Sequence, residues 1–90
     1  MSHQRVIVTG GATNIGRAIT ELFLNAGGRV VVGQPDPSIA TSLIEQYGDR
    51  VMALRVDVGD AAQCRTFVDA AAKALGGLDV LVNNAAITGS

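Results

Sequence analysis

The chain has 90 residues, 48% of them hydrophobic, 17% charged and 3% aromatic, which is enough for one small domain and too little for two. Seven Lys and Arg against eight Asp and Glu give a formal net charge of -1 without a run of either sign, so the basic footprint of a nucleic-acid binder is missing. No apolar window approaches the roughly 20 residues that span a bilayer, and with Cys64 and His3 each alone of its kind, neither an internal disulfide nor a four-ligand Cys/His zinc site can form.

Met1 to Arg5 runs directly into Val6-Ile7-Val8 without the apolar stretch of a secretory signal, and a cytoplasmic address is expected. Arg5-Val6-Ile7-Val8-Thr9 is a continuous β-branched run ending at Gly10-Gly11, the pattern of a strand covered on both faces. From Asn14 onward, Ile15, Ala18, Ile19, Leu22 and Phe23 fall at the spacing of one helical face, and Gly27-Gly28 stops the run. Arg29-Val30-Val31-Val32-Gly33 repeats the buried-strand pattern. Asp36-Pro37 then reads as a helix N-cap with proline at the first helical position, and Ile39, Leu43, Ile44 and Tyr47 mark a face that closes at Gly48.

The unit occurs a third time. Val51 to Val56 is strand-like, Asp57-Val58-Gly59 a loop, and Asp60 caps a helix with the stripe Cys64, Phe67, Val68, Ala71 and Leu75, ended by Gly76-Gly77. Leu78 to Asn83 is a fourth strand running into Asn84-Ala85-Ala86-Ile87. Strands and helices alternating through short links predict βαβ units and a parallel sheet with helices on its faces, an α/β architecture.

Thr9-Gly10-Gly11-Ala12-Thr13-Asn14-Ile15-Gly16 lies where the first strand hands over to the first helix, where backbone N–H groups and the helix dipole converge on a phosphate. Gly10 permits the tight turn and Gly16 removes a side chain where the helix must approach the sheet or a ligand. The G-x-G-x-x-G fingerprint is not matched, because position 12 is Ala and the run from Gly10 to Gly16 is longer.

These residues instead resemble the T-G-x-x-x-G-x-G turn of the short-chain dehydrogenase/reductase family, with Asn14 in place of the middle glycine. Asparagine tolerates a left-handed backbone better than other ordinary residues, so the turn is expected to survive. Two further landmarks fall in register. Asp57-Val58 follows the third strand, and Asn83-Asn84-Ala85-Ala86 ends the fourth, resembling the family's N-N-A-G with Ala86 replacing glycine.

The resemblance covers essentially the whole chain and implies a Rossmann-type doubly wound parallel sheet, here four strands in the order 3-2-1-4, with residues 1–90 as the N-terminal part of an NAD(P)-binding domain. It implies an oxidoreductase that moves hydride between NAD(P) and a small-molecule alcohol or carbonyl substrate, and a homo-oligomer in the complete protein. Carried over position by position, Gly10, Thr13, Asn14, Ile15 and Gly16 face the pyrophosphate and Gln34 the adenosine ribose. Asp57 and Val58 hold adenine, and Asn83 and Ala85 the remaining ribose and the nicotinamide side. Asn84 is as well suited to bracing neighbouring backbone as to touching cofactor.

Gln34 stands where the family's NAD-selecting acid is expected, Pro35 where an NADP-binding arginine often sits, and Thr13 replaces the basic residue common in the turn of NADP enzymes. Asp36 reads as the N-cap. Arg17, expected on the outer face of the first helix, is the one basic residue nearby, so the site leans towards NAD.

The family's catalytic serine and its tyrosine with a lysine four residues later have no counterpart. Tyr47 is followed four residues on by Val51, Lys73 lies on another helix, and both read as solvent-edge residues. The fourth strand would leave a bare parallel edge, which favours association. A non-catalytic dinucleotide-binding module or an inactive fragment is the competing reading.

Overall fold

The computed structural model describes residues 3–10, 12 and 14–84. Four strands, β1 (Arg5–Thr9), β2 (Arg29–Gln34), β3 (Val51–Arg55) and β4 (Val80–Asn83), form one parallel sheet in the order β3-β2-β1-β4. The register pairs Ile7 with Val31 and Leu81, and Gln34 with Arg55. Three helices connect them: α1 (Asn14–Asn25), α2 (Thr41–Tyr47) and α3 (Ala61–Leu75). The expected order 3-2-1-4 is the observed one.

Side chains alternate across a strand, so the valine-rich runs feed two cores at once. Val6, Val8, Val30 and Val32 point to one face and pack with Ala12, Leu24, Ala40 and Leu43 from the α1 and α2 layer. Ile7 and Val31 point to the other and pack with Phe67, Ala71 and Leu75 of α3. Each fully buried Val or Ile contributes roughly 1.5–3 kcal/mol relative to leaving it in water. This is why an uninterrupted apolar run, not an alternating one, marks these strands. At Gly33 an added Cβ would lie 2.6 Å from the Phe67 ring and 2.8 Å from Val56, so the missing side chain is what lets α3 lie close to β2.

Three details depart from the sequence reading. The buried stripe of α1 is Gly16, Thr20 and Leu24, with Ile19 and Phe23 at its margin. Ile15 and Leu22, expected on the core face, are 71% and 70% exposed, and Ala18 is exposed with them. The close approach of Gly16 to the end of β1 sets the rotation of the helix and turns that part of the apolar stripe outward. The second helix is in two pieces. Asp36 caps a 3-10 turn over Pro37–Ala40, and Ala40 at φ -89° and ψ 4° breaks the bonding before α2 begins. Finally, β4 starts at Val80 and not Leu78, because Asp79 is engaged by Arg5.

Tyr47 is half-buried against the α1–α2 core, with its hydroxyl 3.3 Å from Asn25 Oδ1, while Lys73 is exposed. Among the described residues β4 pairs only with β1, and Leu81 on it is 43% exposed. Among the same residues no helix is long and apolar enough to cross a membrane.

Candidate dinucleotide site

The carboxyl ends of the four strands lie at one edge of the sheet, and the strand order reverses between β1 and β4, where open α/β sheets form a ligand crevice. Gly10 leaves β1 at φ 67° and Asn14 opens α1 at φ 54°, both in the left-handed region. Glycine adopts that region freely and asparagine at small cost, which accounts for this pair at the two bends of the turn. An added Cβ on Gly16 would overlap the Gly10 carbonyl oxygen and crowd Asn84 Nδ2. The need for glycine at 16 thus comes from the turn folding back on itself.

Hydrogen bonds from both neighbouring strands hold the turn. The Gly10 N–H donates to the Gly33 carbonyl of β2 at 2.8 Å, and Asn84, just past β4, donates from Nδ2 to the Gly10 carbonyl at 3.2 Å. Asn84 therefore braces backbone. The Ala12 N–H donates to Gln34 Oε1 at 3.1 Å, so the carboxamide oxygen of Gln34 is bonded to the turn, and Gln34 is 4% exposed.

No acidic side chain lies in the first turn of α1, so none offsets the positive end of its dipole there, and Ile15 is exposed. At α3 the corresponding amides are already occupied, since Asp60 Oδ1 accepts from the N–H groups of Ala62 and Gln63.

Asp57 and Val58 follow β3 at the same edge. Asp57 Oδ1 accepts from the Gly59 N–H at 2.9 Å, its own N–H donates to Gln63 Oε1 at 3.1 Å, and its carbonyl accepts from the Asp60 N–H at 3.0 Å. The residue thus shapes the turn into α3 with one carboxylate oxygen, while Oδ2 takes no hydrogen bond among the described residues. Val58 is half-buried and packs on the α3 core. It shares a cavity of about 310 Å³ with Thr9, Cys64, Phe67, Val68, Leu81 and the exposed Asn83. Of the residues expected to bind cofactor, Thr13 and Ala85 lie outside the described residues, as do Gly11 and Ala86.

Around the end of β2, Asp36 and Arg17 are both engaged by partners. Asp36 accepts from the Ser38 N–H at 3.0 Å and its hydroxyl at 2.7 Å, and the hydroxyl bond foremost holds its carboxyl below the usual range. Arg17 is half-buried, not free on the outer face, with Nε 3.1 Å from Glu21 Oε2 and Nη1 2.7 Å from Ser42 Oγ. Arg55, in register with Gln34, acts electrostatically on Asp36. Sequence reasoning missed Arg55, because the register that sets it beside Gln34 is a property of the folded sheet. The Gln34–Ala12 bond was missed for a related reason: a backbone amide carries no residue signature.

The short chain dehydrogenase family model matches residues 4–90. The chain is 32% identical over 90 residues to 3beta-hydroxysteroid dehydrogenase 2 of Eggerthella lenta, covering 97% of this chain and 35% of that protein. It superposes with a TM-score of 0.83 and 39% identity on a short chain dehydrogenase from Burkholderia cenocepacia in complex with NADP, over 93% of this chain and 36% of that one. On 3-ketoacyl-(acyl-carrier-protein) reductase from Brucella melitensis complexed with NADH, the TM-score is 0.79 with 26% identity, over 87% and 32% of the two chains. The chain spans about a third of the length of these relatives. A glycine turn tied to both neighbouring strands at the point where their order reverses is thus matched along nearly the whole sequence, and the chain belongs to the short chain dehydrogenase family.

Proposed function

We propose that residues 1–90 are the dinucleotide-binding part of an oxidoreductase that moves hydride between NAD(P) and a small alcohol or carbonyl substrate. The observation that carries this reading is the turn itself. Left-handed Gly10 and Asn14 lead into a helix whose first turn has no acidic residue, and Gly16 packs on the Gly10 carbonyl, so the start of α1 is held close to the end of β1. Two negative charges on a diphosphate are what such an end attracts.

In this reading Gly10, Thr13, Asn14, Ile15 and Gly16 surround the diphosphate. Asp57 Oδ2, which takes no hydrogen bond among the described residues, accepts the adenine amino group beside Val58, and Asn83 and Ala85 lie along the nicotinamide half. The cofactor would supply the hydride; the part of this chain is to bind and orient it. The proton donor for a carbonyl substrate would come from outside these residues, since Tyr47 is bonded to Asn25 between α1 and α2 and Lys73 is an exposed residue of α3. NAD is the proposed cofactor. Positions 35–40 contain no basic residue and Arg17 is committed to Glu21 and Ser42, which favours NAD over NADP.

Calorimetric titration of the complete gene product with NAD and NADP, followed by an assay of nicotinamide reduction with a panel of alcohols, tests the proposal. Binding of NAD in preference to NADP, with turnover, is the expected result. Binding without turnover on any substrate would favour the non-catalytic module, and failure to bind either dinucleotide would end the reading.

A further inference from the structure

Gln34 closes β2 on the same face as Val30 and Val32, and the residue is 4% exposed. A carboxamide so enclosed needs a hydrogen-bond partner, and among the described residues it has the Ala12 N–H at 3.1 Å. Because an N–H can be met only by an acceptor, the orientation of the amide is fixed: Oε1 faces the turn. Ala12 lies midway between Gly10 and Asn14, the two left-handed residues. Gly10 is pinned at its N–H by Gly33 and at its carbonyl by Asn84. The Gln34 bond is therefore the link that fixes the middle of the loop, where no other hydrogen bond to a neighbouring strand is seen among the described residues.

We propose that Gln34 is a positioning residue for the diphosphate, setting the Ala12 amide and with it the path of the turn, and that it takes no part in distinguishing a ribose 2′-hydroxyl from a 2′-phosphate. The inference rests on the dinucleotide reading above but changes the part of the ligand that Gln34 serves. The diphosphate is common to NAD and NADP, so a defect in the turn must weaken both alike. A residue reading the ribose must instead weaken NAD selectively, since NADP has no 2′-hydroxyl for it to bond.

The test uses the complete gene product and one variant, at a temperature where circular dichroism shows both folded. Gln34→Met keeps the volume and removes the acceptor for the Ala12 N–H. It is expected to weaken NAD and NADP by the same factor, about fivefold to tenfold on the scale of one buried hydrogen bond. Loss of NAD affinity with NADP affinity retained would overturn the proposal in favour of ribose recognition. A lower melting temperature with both affinities unchanged would overturn it in favour of a purely structural role. Wild-type protein that binds neither dinucleotide would refute the underlying site reading, an outcome distinct from both.

Discussion

The two ends of the sheet are fastened by different chemistry. At the end where the strands begin, charged groups make the ties. The Arg5 guanidinium bonds both oxygens of Asp79, from Nε and Nη2 at 3.0 Å each, and donates from Nη1 to the Gly76 carbonyl at 2.9 Å, while the Arg5 N–H also reaches Asp79 at 2.8 Å. Arg50 donates to the Leu24 and Gly28 carbonyls at 2.7 and 3.2 Å, placing a cation at the negative end of α1. At the end where the strands finish, the bonds that hold the glycine turn run between neutral groups: Gly10 with Gly33, Ala12 with Gln34, and Gly10 with Asn84. Rigid attachment is common to both ends. The second also holds the start of α1, whose first turn carries no acidic residue among the described residues, a property that suits an anion site.

Substitutions at the two ends should therefore separate stability from binding. The largest effect is expected at Gly16. Gly16→Val sets a side chain against the Gly10 carbonyl, a backbone atom that cannot yield cheaply, and should cost about 3 kcal/mol, the upper part of the usual overpacking range, with loss of dinucleotide binding. Thermal melting and calorimetry read the two effects, and a variant that binds normally would break the distinction between the ends. Next is Asn84→Ala, which removes one donor from the Gly10 carbonyl. About 1.5 kcal/mol of stability should go, together with about tenfold in NAD affinity. Unchanged affinity would show that the brace from β4 is irrelevant to the turn.

Asn14 gives a finer test, because its backbone is left-handed. Asn14→Ala should cost about 1 kcal/mol and Asn14→Gly should not, as measured by urea unfolding. An equal cost for Ala and Gly would mean that the asparagine amide, not the backbone, is what the position needs.

The smallest change in binding is expected at the other end. Arg5 holds the Asp79 carboxyl at about 2, chiefly by its side-chain hydrogen bonds, against an ordinary value of 3.8. A depressed carboxyl stabilises the fold fully above its unfolded value, and the contribution fades as pH falls through the folded one. Wild type and Asp79→Asn should thus differ in melting temperature at neutral pH and converge as pH falls from about 4 towards 2, while NAD affinity at neutral pH stays equal. Both groups are exposed, so added salt should also narrow the gap.

Glycine punctuation and unbroken valine runs made the order of elements legible in the sequence. Strands buried on both faces need no alternation, and Gly27, Gly48 and Gly76 adopt the positive φ that ends helices. The rotation of α1 was less legible. Ile15, Ala18 and Leu22 form one stripe at helical spacing and Gly16, Thr20 and Leu24 another, with Ile19 and Phe23 between them. Hydrophobicity favours the first stripe, but the contact of Gly16 with Gly10 selects the second.

In the site, the conformational residues could be read in advance, because Gly10, Asn14 and Gly16 each answer a backbone requirement that few residue types satisfy. Arg17 and Gln34 were harder. Their partners, Ser42 and the Ala12 amide, are 25 and 22 residues away in sequence and meet them only through the fold. Asp36 was legible as a cap, since Asp before Pro and Ser is a local pattern with a local bond.

Amide resonances followed by NMR while NAD is added to the isotopically labelled complete gene product distinguish the two ends most directly. Shifts concentrated at Gly10, Ala12, Asn14, Ile15 and Gly16, with Arg5, Gly76 and Asp79 unmoved, are expected for a diphosphate seated on the start of α1. Saturable binding that leaves those five amides in place and moves others would show that the ligand sits elsewhere.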